Sequence, residues 1–304
     1  MLFYSEVIFD KVQTIFDLTE FYPTQNETNI LFIKEDDQTP GAFIIGTPHA
    51  IFHFQPSLKN NAQIDLLLGD IEESGYREGV GSDARFSYLA SVVQIADGYI
   101  VTDSWNYCLR LIERIDLSNG SKVWEASTYA GKCGLGGSIN GRRLLARFNY
   151  PFDVVRQQNN LFITDYKNKM IRRLDMTSGE VTTVHESRYF EPHRLILGDE
   201  GEIYVTVHYG VLKIQNQMEM WVVGWKKESY ITEYLRISEA GFSHAEGMAW
   251  LGEKLMIVAD DGSSVIRLVD LNLYEVRVIC TGVLYVYFNQ TQTRLAHISI
   301  VKAV

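Results

Sequence analysis

The sequence contains no run of about 18 apolar residues, so no segment reads as a membrane-spanning helix. Basic residues are in short supply, 28 against 38 acidic ones, for a formal charge of −10. Phosphate backbones and anionic bilayers need a positive surface to displace their counterions, so this balance repels both. Neither nucleic-acid binding nor membrane insertion is expected. The opening stretch, MLFYSEVIFDKVQTIFDL, carries Glu6, Asp10, Lys11 and Asp17 among its apolar residues. It therefore lacks the unbroken apolar core of a signal peptide and alternates as strands do. Cysteine is scarce, with Cys108, Cys133 and Cys280 alone. An odd count fits free cytoplasmic thiols, or one disulfide and a leftover thiol in a secreted chain. Three Asn-x-Ser/Thr sequons, at Asn26, Asn119 and Asn289, tilt toward a secreted glycoprotein. Phosphate loops, paired-cysteine metal knuckles, recognisable Ser-His-Asp sets and three-turn amphipathic helices are all missing.

What remains is β structure from end to end. Short β-rich runs recur, among them NILFIK (29–34), GAFIIG (41–46), AIFHFQ (50–55), GYIVTD (98–103), LFITD (161–165), EIYVTV (202–207), KLMIVAD (254–260) and VLYVYF (283–288). Turn signals such as Asn159-Asn160, Ser178-Gly179 and Asp261-Gly262 separate them. A larger unit repeats above the strands. ARFSYLASVVQIADGYIVTDSWNYCLRLIE starts at Ala84, and ARFNYPFDVVRQQNNLFITDYKNKMIRRLD starts at Ala146. Weaker copies start at Tyr189 and Gly241. A unit of 40 to 50 residues with about four strands signals a propeller, in which small sheets stack radially and bury each other's faces. The expected fold is an all-β, six-bladed propeller in one domain over 1–304. Its blades fall near 28–70, 71–131, 132–188, 189–227 and 228–282, with 283–304 and 1–27 joining as the last.

Ala-x-Phe-x-x-Pro, then apolar-x-Asp, Asn three later and Ile/Leu-Arg, resembles the NHL repeat. The best match is Ala146, Phe148, Pro151, Asp165, Asn168, Ile171 and Arg172. In the other copies Val207 replaces the aspartate and Ser263 the asparagine, while Asp260, Ile266 and Arg267 are kept. The resemblance implies the fold and says little about activity, because NHL propellers include RNA-binding modules, extracellular modules such as those of teneurins, and a peptide-amidating lyase. In secreted animal proteins of this type, a cysteine after Ala-Gly accompanies one just before Leu-Arg. Cys108 and Cys133 hold those positions, so the resemblance implies a disulfide between them.

Two sets of residues invite a functional reading. Asp103, Asn106 and Arg110 recur as Asp165, Asn168 and Arg172, and in part as Asp260 and Arg267. A unique active site would not recur in several blades, so these read as a structural corner, with the aspartate accepting local N–H groups in an Asx turn. The second set lies where each innermost strand begins, at the channel mouth: Asp153 with Phe152, His193 with Arg194, and Glu246 with His244 and Gly247. Carboxylate, imidazole and guanidinium together would make a polar ligand pocket. His193 with Asp153 and Glu246 would suit a divalent metal such as Zn²⁺, although a solvated entrance carries polar residues in any case. His193, in Phe-x-Pro-His, matches one zinc-ligand position of the amidating lyase, but that enzyme needs three histidines, and His208 and His244 are out of register with it. Arg142, Arg143, Arg147, Lys167, Lys169, Arg172 and Arg173 form a basic cluster in sequence that the net charge opposes as an RNA site. The residues favour a non-catalytic module that binds a protein or extended ligand on one face, more extracellular than not. A metal-assisted lyase or lactonase at the channel mouth is the alternative, and no resident cofactor is expected.

Overall fold

The computed structural model describes residues 30–36, 39–56, 62–118, 120–224, 234–281, 285–291 and 294–301. Strands are numbered in chain order. The first sheet runs β1 (Phe32–Glu35), β2 (Phe43–Gly46), β3 (Ala50–Gln55), β4 (Gln63–Gly69). In the second, β5 (Gly79–Val80) joins the far side of β6 (Leu89–Ile95), β7 (Gly98–Asp103), β8 (Cys108–Asp116) and β9 (Lys122–Gly131). The third places β10 (Gly141–Arg142) outside β11 (Pro151–Gln157), β12 (Asn160–Asp165), β13 (Met170–Asp175) and β14 (Glu180–Glu186). The fourth has β15 (Leu195–Leu197), β16 (Ile203–Val207), β17 (Gly210–Gln215) and β18 (Met218–Gly224). In the fifth, β19 (Tyr234–Arg236) lies outside β20 (Ala245–Gly252), β21 (Leu255–Asp260), β22 (Val265–Asp270) and β23 (Glu275–Thr281). All pairings are antiparallel, and β24 (Tyr285–Thr291) pairs with β25 (Arg294–Val301) as a hairpin.

Neighbouring sheets meet through their first long strands, β1 against β6, β6 against β11, β11 against β15 and β15 against β20. This is a β-propeller. The expected count of six blades is corrected by the structure: five full blades of four or five strands are described, with a hairpin in addition. That hairpin lies against β20 on one side and β1 on the other. Strands from 1–27, expected to complete it and close the ring, fall outside the described residues.

The core consists of slabs between blades, and strand periodicity builds it. On β7, Tyr99 and Val101 face the first blade, packing with Ile44, Leu68 and Phe86. Ile100 points the other way, toward Phe148, Val154 and Ile163 of the third blade. A strand buried on both faces reads as a continuous apolar run, as GYIVTD does.

The recurrent aspartates and arginines form the corners, by a route different from the expected Asx turn. Asp103 Oδ1 accepts the N–H of Ser87, 16 residues earlier, while Oδ2 accepts Asn106 Nδ2 at 2.9 Å and Arg110 Nη1 at 3.0 Å. Asp165 repeats this with Asn149, Asn168 and Arg172, the last at 2.8 Å, and Asp260 pairs with Arg267 at 2.9 Å. The left-handed backbone falls on the residue after the asparagine position, at Tyr107, Lys169 and Ser264. All six charged partners are fully buried. Asn106 and Arg110 also donate to the carbonyls of Gly75 and Arg77, and Asn168 and Arg172 to those of Gly137 and Ile139. The corner thus clamps the chain arriving from the previous blade. Each arginine lies over the repeat's phenylalanine, Arg110 on Phe86, Arg172 on Phe148 and Arg267 on Phe242, at 4.8 to 5.3 Å. In the fourth blade, the register puts Leu212 at the arginine position and Val207 at the aspartate position, so both charges are replaced together.

Cys108 and Cys133 are joined by a disulfide across a 25-residue separation. It ties the start of β8 to the connection entering the third blade. Gly131 precedes that connection at φ +88°, and a Cβ there would press on the Tyr107 carbonyl and the Phe148 ring. Of the sequons, Asn26 and Asn119 lie outside the described residues and Asn289 is in β24. Among the described residues, no helix is long and apolar enough to cross a membrane.

Candidate functional site

The mouth is best built from the threonine before each corner aspartate. Thr102, Thr164 and Thr206 are fully buried, and each hydroxyl accepts an N–H from its own blade, that of Ser91 in β6, of Asp153 in β11 and of Arg194 just before β15. Each also donates onward to the next blade, Thr102 to the carbonyl of Phe152, Thr164 to that of His193 and Thr206 to that of Glu246. These bonds fix the structural equivalence of the blades. Ala90, Phe152, His193 and Glu246 occupy one ring position, and Ser91, Asp153 and Arg194 the next one down.

Of the four residues expected at the mouth, all converge, in two roles. Asp153 is buried and structural. Its Oδ1 accepts from Ser91 Oγ at 2.6 Å and its Oδ2 from the Leu195 N–H at 2.8 Å, so one carboxylate ties three blades. Arg194 links the fourth blade to the second and the fifth. Its Nη1 donates to the Ala90 carbonyl at 2.8 Å, its Nε lies 3.6 Å from Glu246 Oε1, and its guanidinium covers Phe152 at 4.6 Å. His193 Nδ1 meets Glu246 Oε2 at 2.8 Å. Burial alone would raise the Glu246 carboxyl, but the His193 hydrogen bond and the nearby Arg194 charge outweigh it and hold the group below its ordinary range.

Two further histidines complete the cluster, although sequence register set them apart. His244 Nε2 lies 3.9 Å from Glu246 Oε2, and its Nδ1 lies 2.7 Å from Asp261 Oδ1. The Asp261 hydrogen bond raises the His244 pKa against the effect of burial. His208 sits with its ring centroid 4.7 Å from that of His244, and burial together with the two neighbouring imidazoles lowers its pKa. His193, His244 and Glu246 each offer a ligand atom, all within 4.8 Å of one another. The usable sequence signal was positional: the His244 carbonyl accepts the Asp261 N–H as the Tyr88 carbonyl accepts that of Ser104 and the Tyr150 carbonyl that of Tyr166. His244 therefore occupies the loop position of Tyr88 and Tyr150, facing the same mouth.

An aromatic arc continues from the imidazoles. Tyr166 meets His193 edge-on with centroids 5.0 Å apart, and Phe152 and Tyr166 both contact Tyr150. Tyr150 contacts Tyr88 at 5.9 Å, and Tyr88 stacks on Trp105 at 5.8 Å with the planes 9° apart. Of these rings the sequence places only Phe152 at the mouth; Tyr88 and Tyr150 share a position in the two best copies of the repeat, but nothing in that position alone says which way the rings face.

No protein-family model and no curated protein matches the chain in sequence. Solved structures do match it in fold. An auxiliary nutrient binding protein from Bacteroides thetaiotaomicron aligns over 83% of this chain with a TM-score of 0.58 at 11% identity. One from Bacteroides ovatus aligns over 83% with a TM-score of 0.54 at 12% identity. This chain spans 57% of the length of each of those two. A chain of the nidogen/laminin complex aligns over 89% of this chain and 84% of its own length, with a TM-score of 0.53 at 11% identity. At such identities the likeness is one of β-propeller fold.

Proposed function

We propose that this chain is a ligand-binding propeller that engages its partner at the channel mouth, with no catalysis of its own. The observation carrying this reading is the convergence of His193, Arg194, His244 and Glu246 from two blades into one mostly buried polar cluster, which Arg194 links to a third blade through the Ala90 carbonyl. Charged groups positioned by backbone-level bonds between blades are ready for a polar ligand without rearrangement. We assign the blade repeat to the NHL type on its Asp-Asn-Arg corners, the whole chain to one propeller domain, and the protein to an extracellular setting. The Cys108–Cys133 disulfide supports the last, since such bonds persist in oxidising compartments. Binding propellers among the structural neighbours agree with the general role. A thermal-shift comparison of wild type and Glu246→Gln against small polar molecules tests this reading. Ligands that stabilise wild type but not the variant support it, and ligands that stabilise both equally count against it.

A second reading, metal-assisted chemistry at the same mouth, is favoured by the three ligand atoms of His193, His244 and Glu246. Two imidazoles and a carboxylate suit Zn²⁺. Asp261 on Nδ1 of His244 is the carboxylate–histidine arrangement that orients a ligating ring, leaving Nε2 toward Glu246. Asp153 drops out of the ligand set, because both its oxygens hold neighbouring blades. One equivalent of Zn²⁺ bound by wild type and lost in His244→Ala would support this reading, and no bound metal would remove it.

A further inference from the structure

The arc of rings beside the charged cluster makes the mouth two-sided. On one side Trp105, Tyr88, Tyr150, Phe152 and Tyr166 pass ring to ring across the second and third blades. On the other stand His193, His244, Glu246 and Arg194. Trp105 is 57% exposed, a large apolar surface facing water at the end of the arc. It is nonetheless held in place: Trp105 Nε1 donates to Tyr150 Oη at 3.0 Å, and its ring stacks on Tyr88. Tyr88 and Tyr150 both have φ of 66°, a left-handed conformation disfavoured for a bulky residue and natural for glycine. An aromatic side chain is thus kept twice, at equivalent loop positions, where the backbone resists it.

We propose that the mouth binds a neutral saccharide, with the C–H face of a pyranose ring against the Trp105–Tyr88 end of the arc and its hydroxyl groups toward Glu246, His193 and Arg194. This rests on the reading that ligands are taken at the mouth and names their chemistry. A pyranose is apolar on its ring faces and polar around its rim, which is the division the mouth presents. The charged side supplies both donors and acceptors, as hydroxyl groups require. Burial raises the Tyr88, Tyr150 and Tyr166 phenols, Tyr150 to about 12, so the arc stays uncharged and can share hydroxyl hydrogen bonds. A lipid or purely apolar ligand would strip the remaining water from Glu246, His193 and Arg194 and offer no hydrogen bond in exchange. Nucleotides, the other ligands that stack on aromatic faces, carry phosphate against a chain of net charge −10.

Isothermal titration of the full chain with maltopentaose, cellopentaose, chitopentaose, xylopentaose and mannopentaose tests the assignment, with circular dichroism confirming the fold of each variant. At least one sugar is expected to bind wild type, and Trp105→Ala and Tyr88→Ala should each weaken it by about tenfold. Trp105 is the more exposed of the two, so its truncation disturbs the fold less, and that variant decides if Tyr88→Ala fails to fold. No binding by any of the five, or binding unchanged in Trp105→Ala, overturns the proposal. Binding lost in Glu246→Gln but unchanged in Trp105→Ala would overturn saccharide stacking while leaving the mouth as the binding site.

Discussion

A guanidinium with no access to water needs a fixed counter-charge, and three blades supply one in the same way. Arg172 and Asp165 meet at 2.8 Å with neither reaching solvent. Removing one partner leaves a buried charge unanswered, so Arg172→Leu should cost about 3–5 kcal/mol in urea unfolding. The fourth blade does without the pair, with Val207 and Leu212 in its place, both almost fully buried. Accordingly, Asp165→Val with Arg172→Leu should be more stable than Arg172→Leu alone. If the double variant is the less stable, the pair is doing more than balancing its own charges. The pH dependence has a definite sign. Burial pushes Asp103 and Asp165 up to about 6, from an ordinary value of 3.8. The folded state therefore takes up protons between those values that the unfolded chain does not. Their contribution to stability is fully present below pH 3.8 and is lost as pH rises through about 6. Unfolding at pH 5 and pH 7 should show the double variant gaining on wild type at the higher pH; an equal difference at both would contradict the raised carboxyls.

At the scale of strands and turns, blades are joined by small repeated devices. Thr164 accepts the Asp153 N–H and donates to the His193 carbonyl, linking two innermost strands. Thr164→Val would leave both backbone groups buried and unpaired, costing about 1–3 kcal/mol by chemical denaturation. Its imidazole resonances should shift at His193 as well, which a loss of stability alone would not cause. The disulfide acts on a longer connection. Closing 25 residues corresponds to about 3.5 kcal/mol of unfolded-state entropy, so the melting temperature should fall on reduction and in Cys133→Ser. An unchanged melt would mean that the Asn106 and Arg110 clamp holds this corner unaided. These elements also show what the sequence could disclose. Strands and corners were legible because Asp165, Asn168 and Arg172 lie within one turn of the chain and recur. The direction of the aspartate bonds was not, since Ser87 and Asn149 lie 16 residues upstream of their acceptors. Blade number was overread, because β24 and β25 form a two-stranded hairpin, while the strands expected from 1–27 lie outside the described residues.

For the whole molecule, the ring converts distance along the chain into adjacency. His193 and Glu246 are 53 residues apart and meet at 2.8 Å; Arg194 reaches a carbonyl 104 residues away. Sequence placed Asp153, His193, Arg194 and Glu246 at the mouth, because each follows a recognisable strand start. It did not disclose His208, Asp261, Trp105 or Tyr166, or that Tyr88 and Tyr150 turn toward the mouth, since the facing of these loop positions is set only by the interblade threonine bonds and corner turns. One face of the propeller thereby gathers imidazoles, a carboxylate, a guanidinium and stacked rings, and the account stands on that face being where ligands bind. Histidine-selective NMR tests this most directly, because three of the seven histidines lie there. On titration with the pentasaccharides or with Zn²⁺, the His193, His208 and His244 resonances should move while those of His53 and His185 stay fixed. Movement of His53 or His185 with the mouth histidines unchanged would contradict the assignment.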